Sequence, residues 1–172
     1  MNAVTYPRYA ALTIVVIDDN PQMRTIIGTI LSAIGVRRIY YAADGRRGLQ
    51  AVHSSAPDIV FVDLEMPVMN GIEFITSVRD LQPPIRYLPI IMLTGHSFGP
   101  SVFRARDAGV NEFLTKPVSA KTILERLHQV IYRPRPFVLS KHYRGPDRRR
   151  QTIAEYRGPK RRSADLADRI EI

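Results

Sequence analysis

Apolar positions in the first 132 residues follow two alternating rhythms. Residues 12–17 (LTIVVI) form an unbroken, largely β-branched run ending at Asp18-Asp19, the pattern of a strand buried on both faces. Pro21 then opens a stretch in which Met23, Ile26, Ile27, Ile30, Leu31 and Ile34 recur at helical spacing, and Gly35 closes it. The alternation repeats. Residues 36–42 predict a second strand, and Asp44 caps a helix reaching about His53. Residues 58–62 predict a third strand, followed by a loop punctuated by Met66-Pro67 and Asn70-Gly71 and a helix over 72–81. Residues 89–93 predict a fourth strand, with a helix over 100–108 that stops at Gly109. A short strand over 112–114 and a helix capped by Ser119 and running to Tyr132 complete the series.

Five strand-then-helix units imply an α/β fold with a parallel sheet, helices on both faces and right-handed crossovers. Such sheets bind ligands at the carboxyl ends of their strands, where the strand order reverses. The polar residues just beyond the strands should therefore converge. They are Asp18-Asp19 after the first strand, Asp63 after the third, Thr94 after the fourth and Lys116-Pro117 after the fifth. Three carboxylates, a hydroxyl and an ammonium then meet at one edge. Like charges ~4 Å apart repel by ~4 kcal/mol at an effective dielectric near 20, so the cluster calls for a cation. A few oxygen ligands suit Mg²⁺, which keeps several waters and shares phosphate oxygens. Thr94 and Lys116 are then donors for phosphoryl oxygens, the charge stabilisation that phosphoryl transfer needs.

Composition narrows the class. The chain has 172 residues and 45% hydrophobic content, suited to one domain with an extension. The absence of cysteine excludes disulfides and thiolate metal sites. No apolar run reaches the roughly 20 residues of a membrane span, and the run after Arg8 meets two aspartates without a cleavage site. A soluble, cytoplasmic protein is expected. The net charge of +9 is uneven: residues 1–132 hold 13 Lys/Arg against 11 Asp/Glu, and residues 133–172 hold 12 against 5. The basic character belongs to the tail.

The Asp18-Asp19 pair, Asp63 within D-L-E-M-P (63–67), Thr94 and Lys116-Pro117 resemble, in order and spacing, the receiver domain of two-component response regulators. The resemblance covers about residues 11–132, after an N-terminal arm of residues 1–10. It implies a doubly wound five-stranded parallel sheet of order 2-1-3-4-5 flanked by five helices. It further implies that Asp63 is the nucleophile, accepting a phosphoryl group from a phosphohistidine on a sensor histidine kinase or histidine phosphotransfer protein. Asp19, Asp63 and the Glu65 backbone carbonyl would ligate Mg²⁺, with Asp18 acting through water. Thr94 would hydrogen-bond the phosphoryl group and Lys116 would pair with it. Phe113 falls at the family's switch aromatic, coupled to Thr94; on composition alone a core ring is the favoured reading over a switch. Glu65 and His96 fall where the family tunes phosphoryl lifetime, and a solvent-facing rim is the alternative. His53, His128 and His142 lack partners at ligand spacing and are read as surface or packing residues.

Beyond Tyr132, Arg-Pro-Arg-Pro (133–136) forbids a helix, and the apolar triplet 137–139 follows. Then Y-R-G-P-D-R-R (143–149) returns as Y-R-G-P-K-R-R (156–162). Two such units have no core of their own. The basic tail, residues 133–172, is expected to be extended or disordered, with a weak helix near 163–172. Its candidate binding residues are Tyr143, Arg148, Arg149, Arg150, Tyr156, Lys160, Arg161 and Arg162. An acidic protein face is the favoured partner; nucleic acid or an anionic membrane is a disfavoured one, and a purely solubilising tail is a third reading. The whole reads as a stand-alone response regulator acting by protein contact or onward phosphotransfer, catalysing only its own phosphorylation and dephosphorylation. The rival is a phosphorylation-independent module whose basic tail contacts nucleic acid or an acidic partner.

Overall fold

The computed structural model describes residues 9–95 and 98–148, and the backbone alone at 168–170. Five parallel strands, β1 (Thr13–Ile17), β2 (Arg38–Ala42), β3 (Ile59–Asp63), β4 (Ile90–Thr94) and β5 (Glu112–Thr115), lie in the order β2-β1-β3-β4-β5. The helices are α1 (Pro21–Ala33), α2 (Gly45–Ser55), α3 (Gly71–Asp80), α4 (Pro100–Ala108) and α5 (Ala120–Tyr132). Fold and strand order are those the sequence implied.

Successive strand residues face opposite sides of a sheet, so strands covered on both sides must be apolar throughout. Val15, Ile17, Val60, Val62, Ile90 and Met92 point into one core with Val52, Phe74, Ile75, Val78 and Ala105 of α2, α3 and α4. Ile14, Val16, Ile59, Phe61, Ile91 and Leu93 point into the other with Ile27 and Leu31 of α1 and Ile123 and Leu127 of α5. Both layers hide the central strands from water, which is why β1, β3 and β4 carry no polar residue before their last positions, apart from Thr13.

Caps fix where the helices begin, and thereby the loops beside the strand ends. The Asn20 side chain accepts from Gln22 N and Met23 N at the start of α1, with Pro21 in the first position. Asn70 and Glu73 form a capping box on α3. Gly71 opens that helix directly under the end of β3: a Cβ there would lie 2.3 Å from the Asp63 carbonyl oxygen, so only glycine fits. The β3–α3 loop also holds Val68 at φ 70°, in the left-handed region that a β-branched residue rarely enters. A cis Lys116-Pro117 bond follows β5.

The first part of the tail departs from expectation. Residues expected to be extended without a core form an antiparallel hairpin, β6 (Phe137–Leu139) with β7 (Arg144–Pro146), packed on the five-stranded domain. Phe137, Val138 and Tyr143 are buried. The five-stranded domain supplies the missing core: the Phe137 ring meets Tyr87 edge-on at 4.9 Å and lies over the Arg79 guanidinium. Arg135 donates to the carbonyls of Asn111 and Asp147. Arg144 reaches Asp80 of α3 at 2.6 Å, and Arg148 reaches Asp107 of α4 at 2.9 Å. Gly109, at φ 100°, lies so close to the hairpin that a Cβ would be 2.6 Å from the Arg144 carbonyl oxygen. A third strand, β8 (Asp168–Ile170), pairs antiparallel with β6, where the sequence suggested a weak helix. Backbone pairing to an existing strand outcompetes a short helix, because isolated short helices are marginal.

Candidate phospho-acceptor site

The site forms at the carboxyl edge of the sheet. Asp63 is the last residue of β3 and only 7% exposed, while Asp18, just beyond β1, is fully buried. Lys116 Nζ bridges them, 2.9 Å from Asp63 Oδ1 and 3.1 Å from Asp18 Oδ2. The Asn20 N–H donates to Asp18 Oδ1 at 2.8 Å, so both Asp18 oxygens are held. Asp19 is exposed. One oxygen each from Asp18, Asp19 and Asp63 nevertheless lies within 4.8 Å of the others. Three carboxylate oxygens at that spacing, with no nitrogen or sulfur donor among them, fit a hard cation such as Mg²⁺.

Burial, with the neighbouring Asp18 charge, raises the Asp63 pKa above the ordinary carboxylate value, against the Lys116 hydrogen bond. Burial opposes the charge on Lys116, but the two carboxylates outweigh it and its pKa is raised. Lys116 therefore stands as a fixed cation one hydrogen bond from the acceptor oxygen.

Thr94 ends β4 and is buried; its carbonyl accepts from Lys116 N at 2.8 Å, which ties the ends of β4 and β5 together. Phe113 lies in β5, half-buried against the core on the α3–α4 side. Glu65 is exposed and, with Asp19, Met66, Asn70, Ser101 and Arg104, lines a cleft of about 430 Å³ beside the carboxylates. The fold thus brings together Asp18, Asp19, Asp63 and Lys116, with Thr94 at the adjoining strand end and Glu65 on the rim. His96 lies outside the described residues, as do Arg149, Arg150, Tyr156, Lys160, Arg161 and Arg162.

Tyr143 does not stand free for a partner. It is 5% exposed, its hydroxyl donates to the Pro146 carbonyl at 2.6 Å, and burial raises its pKa. Arg148 covers its ring, 4.0 Å from the centroid, while pairing with Asp107. Both groups are engaged within the chain. Sequence reasoning also missed Arg24, whose Nη1 donates to the Asp18 carbonyl at 2.6 Å and the Asp19 carbonyl at 3.3 Å. Its signal was position: a cation in the opening turn of the helix that follows the acidic pair.

The family model described as response regulator receiver domain matches residues 14–128, and the chain belongs to that family. The chemotaxis protein CheY of Pseudomonas aeruginosa is 31% identical over 122 residues, 71% of this chain and 98% of that protein. The solved chemotaxis protein CheY4 of Vibrio cholerae superposes with a TM-score of 0.65 at 30% identity, covering 70% of this chain and 98% of that one. The receiver domain of a sensor histidine kinase from Pseudomonas aeruginosa PAO1, solved with a magnesium ion coordinated in its active-site cleft, superposes with a TM-score of 0.62 at 29% identity. It covers 69% of this chain and 94% of that one. The chain is a CheY-like receiver, a class in which phosphorylation of the site aspartate is standard. Among the described residues no helix is long and apolar enough to cross a membrane.

Proposed function

We propose that this chain is a stand-alone response regulator that takes a phosphoryl group onto Asp63 from a phosphohistidine and signals by protein contact or onward phosphotransfer. The observation that carries this reading is the Lys116 bridge between Asp63 and the buried Asp18, beside the Asp19 carboxylate. A carboxylate oxygen of Asp63 forms the new P–O bond as the donor's P–N bond breaks, and the electron pair returns to the imidazole nitrogen. Lys116 offsets charge on the transferring oxygens, and Thr94 contributes a hydroxyl at the neighbouring strand end. Asp19, Asp63 and the Glu65 carbonyl would hold Mg²⁺ directly, with Asp18 behind them, and the ion would supply further neutralisation of the phosphoryl charge. The covalent chemistry is gain of this acyl phosphate and its loss, either to water or, in onward phosphotransfer, to a histidine nitrogen of the next protein.

The chemotaxis protein CheY of Pseudomonas aeruginosa matches this chain along 98% of its own length, which supports a CheY-like mode of action through protein contact. The lack of cysteine is in keeping with a cytoplasmic setting. A protein is the favoured downstream target: Arg144 and Arg148 are paired with Asp80 and Asp107 within the chain. Phosphoramidate, a small donor with a P–N bond, tests the donor class. Labelling from phosphoramidate in Mg²⁺, with none from ATP in the absence of a partner kinase, is expected. Labelling from ATP alone would contradict the reading.

A further inference from the structure

Asp18 and Asp19 are adjacent in sequence but are held in different ways. The Asp18 carboxylate is fixed by Lys116 and by the Asn20 N–H. The Asp19 side chain receives no hydrogen bond and no ion pair among the described residues, and it is exposed. Its oxygen still lies within 4.8 Å of oxygens on Asp18 and Asp63. Only the backbone can aim it. That backbone is gripped by Arg24 of α1, whose Nη1 meets the carbonyls of both aspartates. No carboxylate pairs with Arg24 among the described residues, so its guanidinium is given over to these carbonyls. Asn20 caps the same helix and accepts from Arg24 N at 3.2 Å, so cap, helix start and guanidinium form one closed unit around residues 18–20.

We propose that Arg24 is a positioning residue for the cation site: it holds the Asp18-Asp19 backbone so that the Asp19 carboxylate faces Asp63, and thereby strengthens Mg²⁺ binding. This rests on the Mg²⁺ reading above. Two effects of Arg24 oppose each other, and the sign of the outcome separates them. As a nearby positive charge it repels a dication, so removing it would tighten binding. As the clamp on an otherwise unsupported ligand it preorganises the site, so removing it loosens binding. Groups that orient metal ligands typically contribute about 10–100-fold in affinity, and the carbonyls are gripped at hydrogen-bond distance, so the clamp dominates.

Calorimetric titration of the full chain with Mg²⁺ tests this, with metal-free circular dichroism confirming that each variant is folded. Arg24→Gln is expected to weaken Mg²⁺ binding about tenfold. Arg24→Lys, which keeps the charge but replaces the planar fork by one ammonium, should fall between the two. In an Asp19→Asn background, Arg24→Gln should add little further loss, because the ligand it aims is already gone. Unchanged or tighter binding by Arg24→Gln overturns the inference, and so does a full second loss in the Asp19→Asn background. Failure of the wild-type chain to bind Mg²⁺ would overturn the metal reading itself.

Discussion

The Arg79 guanidinium lies 5.6 Å from the centroid of the Phe137 ring, so a buried cation of α3 is roofed by the first strand of the C-terminal hairpin. Arg79 has no carboxylate partner among the described residues. It donates instead to the carbonyls of Gly109, Arg86 and Leu88 and to Asn111 Oδ1. Burial pulls its pKa down to about 9, so it stays charged at neutral pH. The carbonyl cage satisfies the donors, and the ring keeps water away.

Phe137→Ala should therefore destabilise the whole receiver. Removal of a fully buried phenylalanine typically costs ~3–5 kcal/mol, and this one also uncovers Arg79 and the Tyr87 ring. Equilibrium urea unfolding would show a lowered midpoint. A midpoint within experimental error of wild type would mean that the hairpin is merely laid on the surface.

The two ion pairs beneath the hairpin contribute much less. Arg144–Asp80 and Arg148–Asp107 join side chains that are 36–60% exposed, and such pairs are worth ~0–1 kcal/mol each. Asp80→Asn with Asp107→Asn should shift the urea midpoint far less than Phe137→Ala. That shift should vanish near ~1 M salt, where screening is strong. A loss as large as that of Phe137→Ala would reverse the assignment of apolar packing as the main attachment.

The receiver site was legible in the sequence because each of its residues directly follows a strand that the apolar runs mark. Asp18, Asp63 and Lys116 need only a parallel sheet to meet. The hairpin was not legible for the converse reason. Phe137, Val138 and Tyr143 sit among arginines and prolines, and their burial depends on Tyr87, Arg79 and Gly109, far away in the chain. Local pattern carries no record of such partners. Tyr143 looked like a ligand for a partner because nothing nearby in sequence reveals that Pro146 accepts its hydroxyl. A clue did exist in Arg79, a cation one residue after the buried Val78, whose neighbourhood had to supply acceptors from elsewhere.

Acceptor chemistry and stability pull against each other at Asp63. Its folded pKa is raised, chiefly by burial, above the ordinary value of 3.8. A raised carboxyl favours the folded state most at low pH, and that contribution is lost as pH rises through the folded pKa. At neutral pH without metal, Asp63→Asn should thus melt a few degrees above wild type. The gap should close on acidification, as wild-type Asp63 takes up its proton. A variant that melts below wild type at pH 7 would show that the Lys116 pairing outweighs the burial.

Glu65 faces the cleft beside the carboxylates, while only its backbone carbonyl is proposed as a metal ligand. Glu65→Gln should change the rate at which the phosphorylated protein loses its label, with Mg²⁺ affinity near that of wild type. An unchanged rate would return the side chain to a passive rim.

The central claim is that Asp63 is the phosphoryl acceptor. Intact-protein and peptide mass spectrometry after treatment with a small phosphodonor in Mg²⁺ tests it most directly. One phosphoryl group is expected, mapped to the peptide that carries Asp63, absent from Asp63→Asn and lost on chelation of the metal before treatment. Stoichiometric phosphorylation of the Asp63→Asn protein, or a label on any other residue of the wild type, would contradict the account.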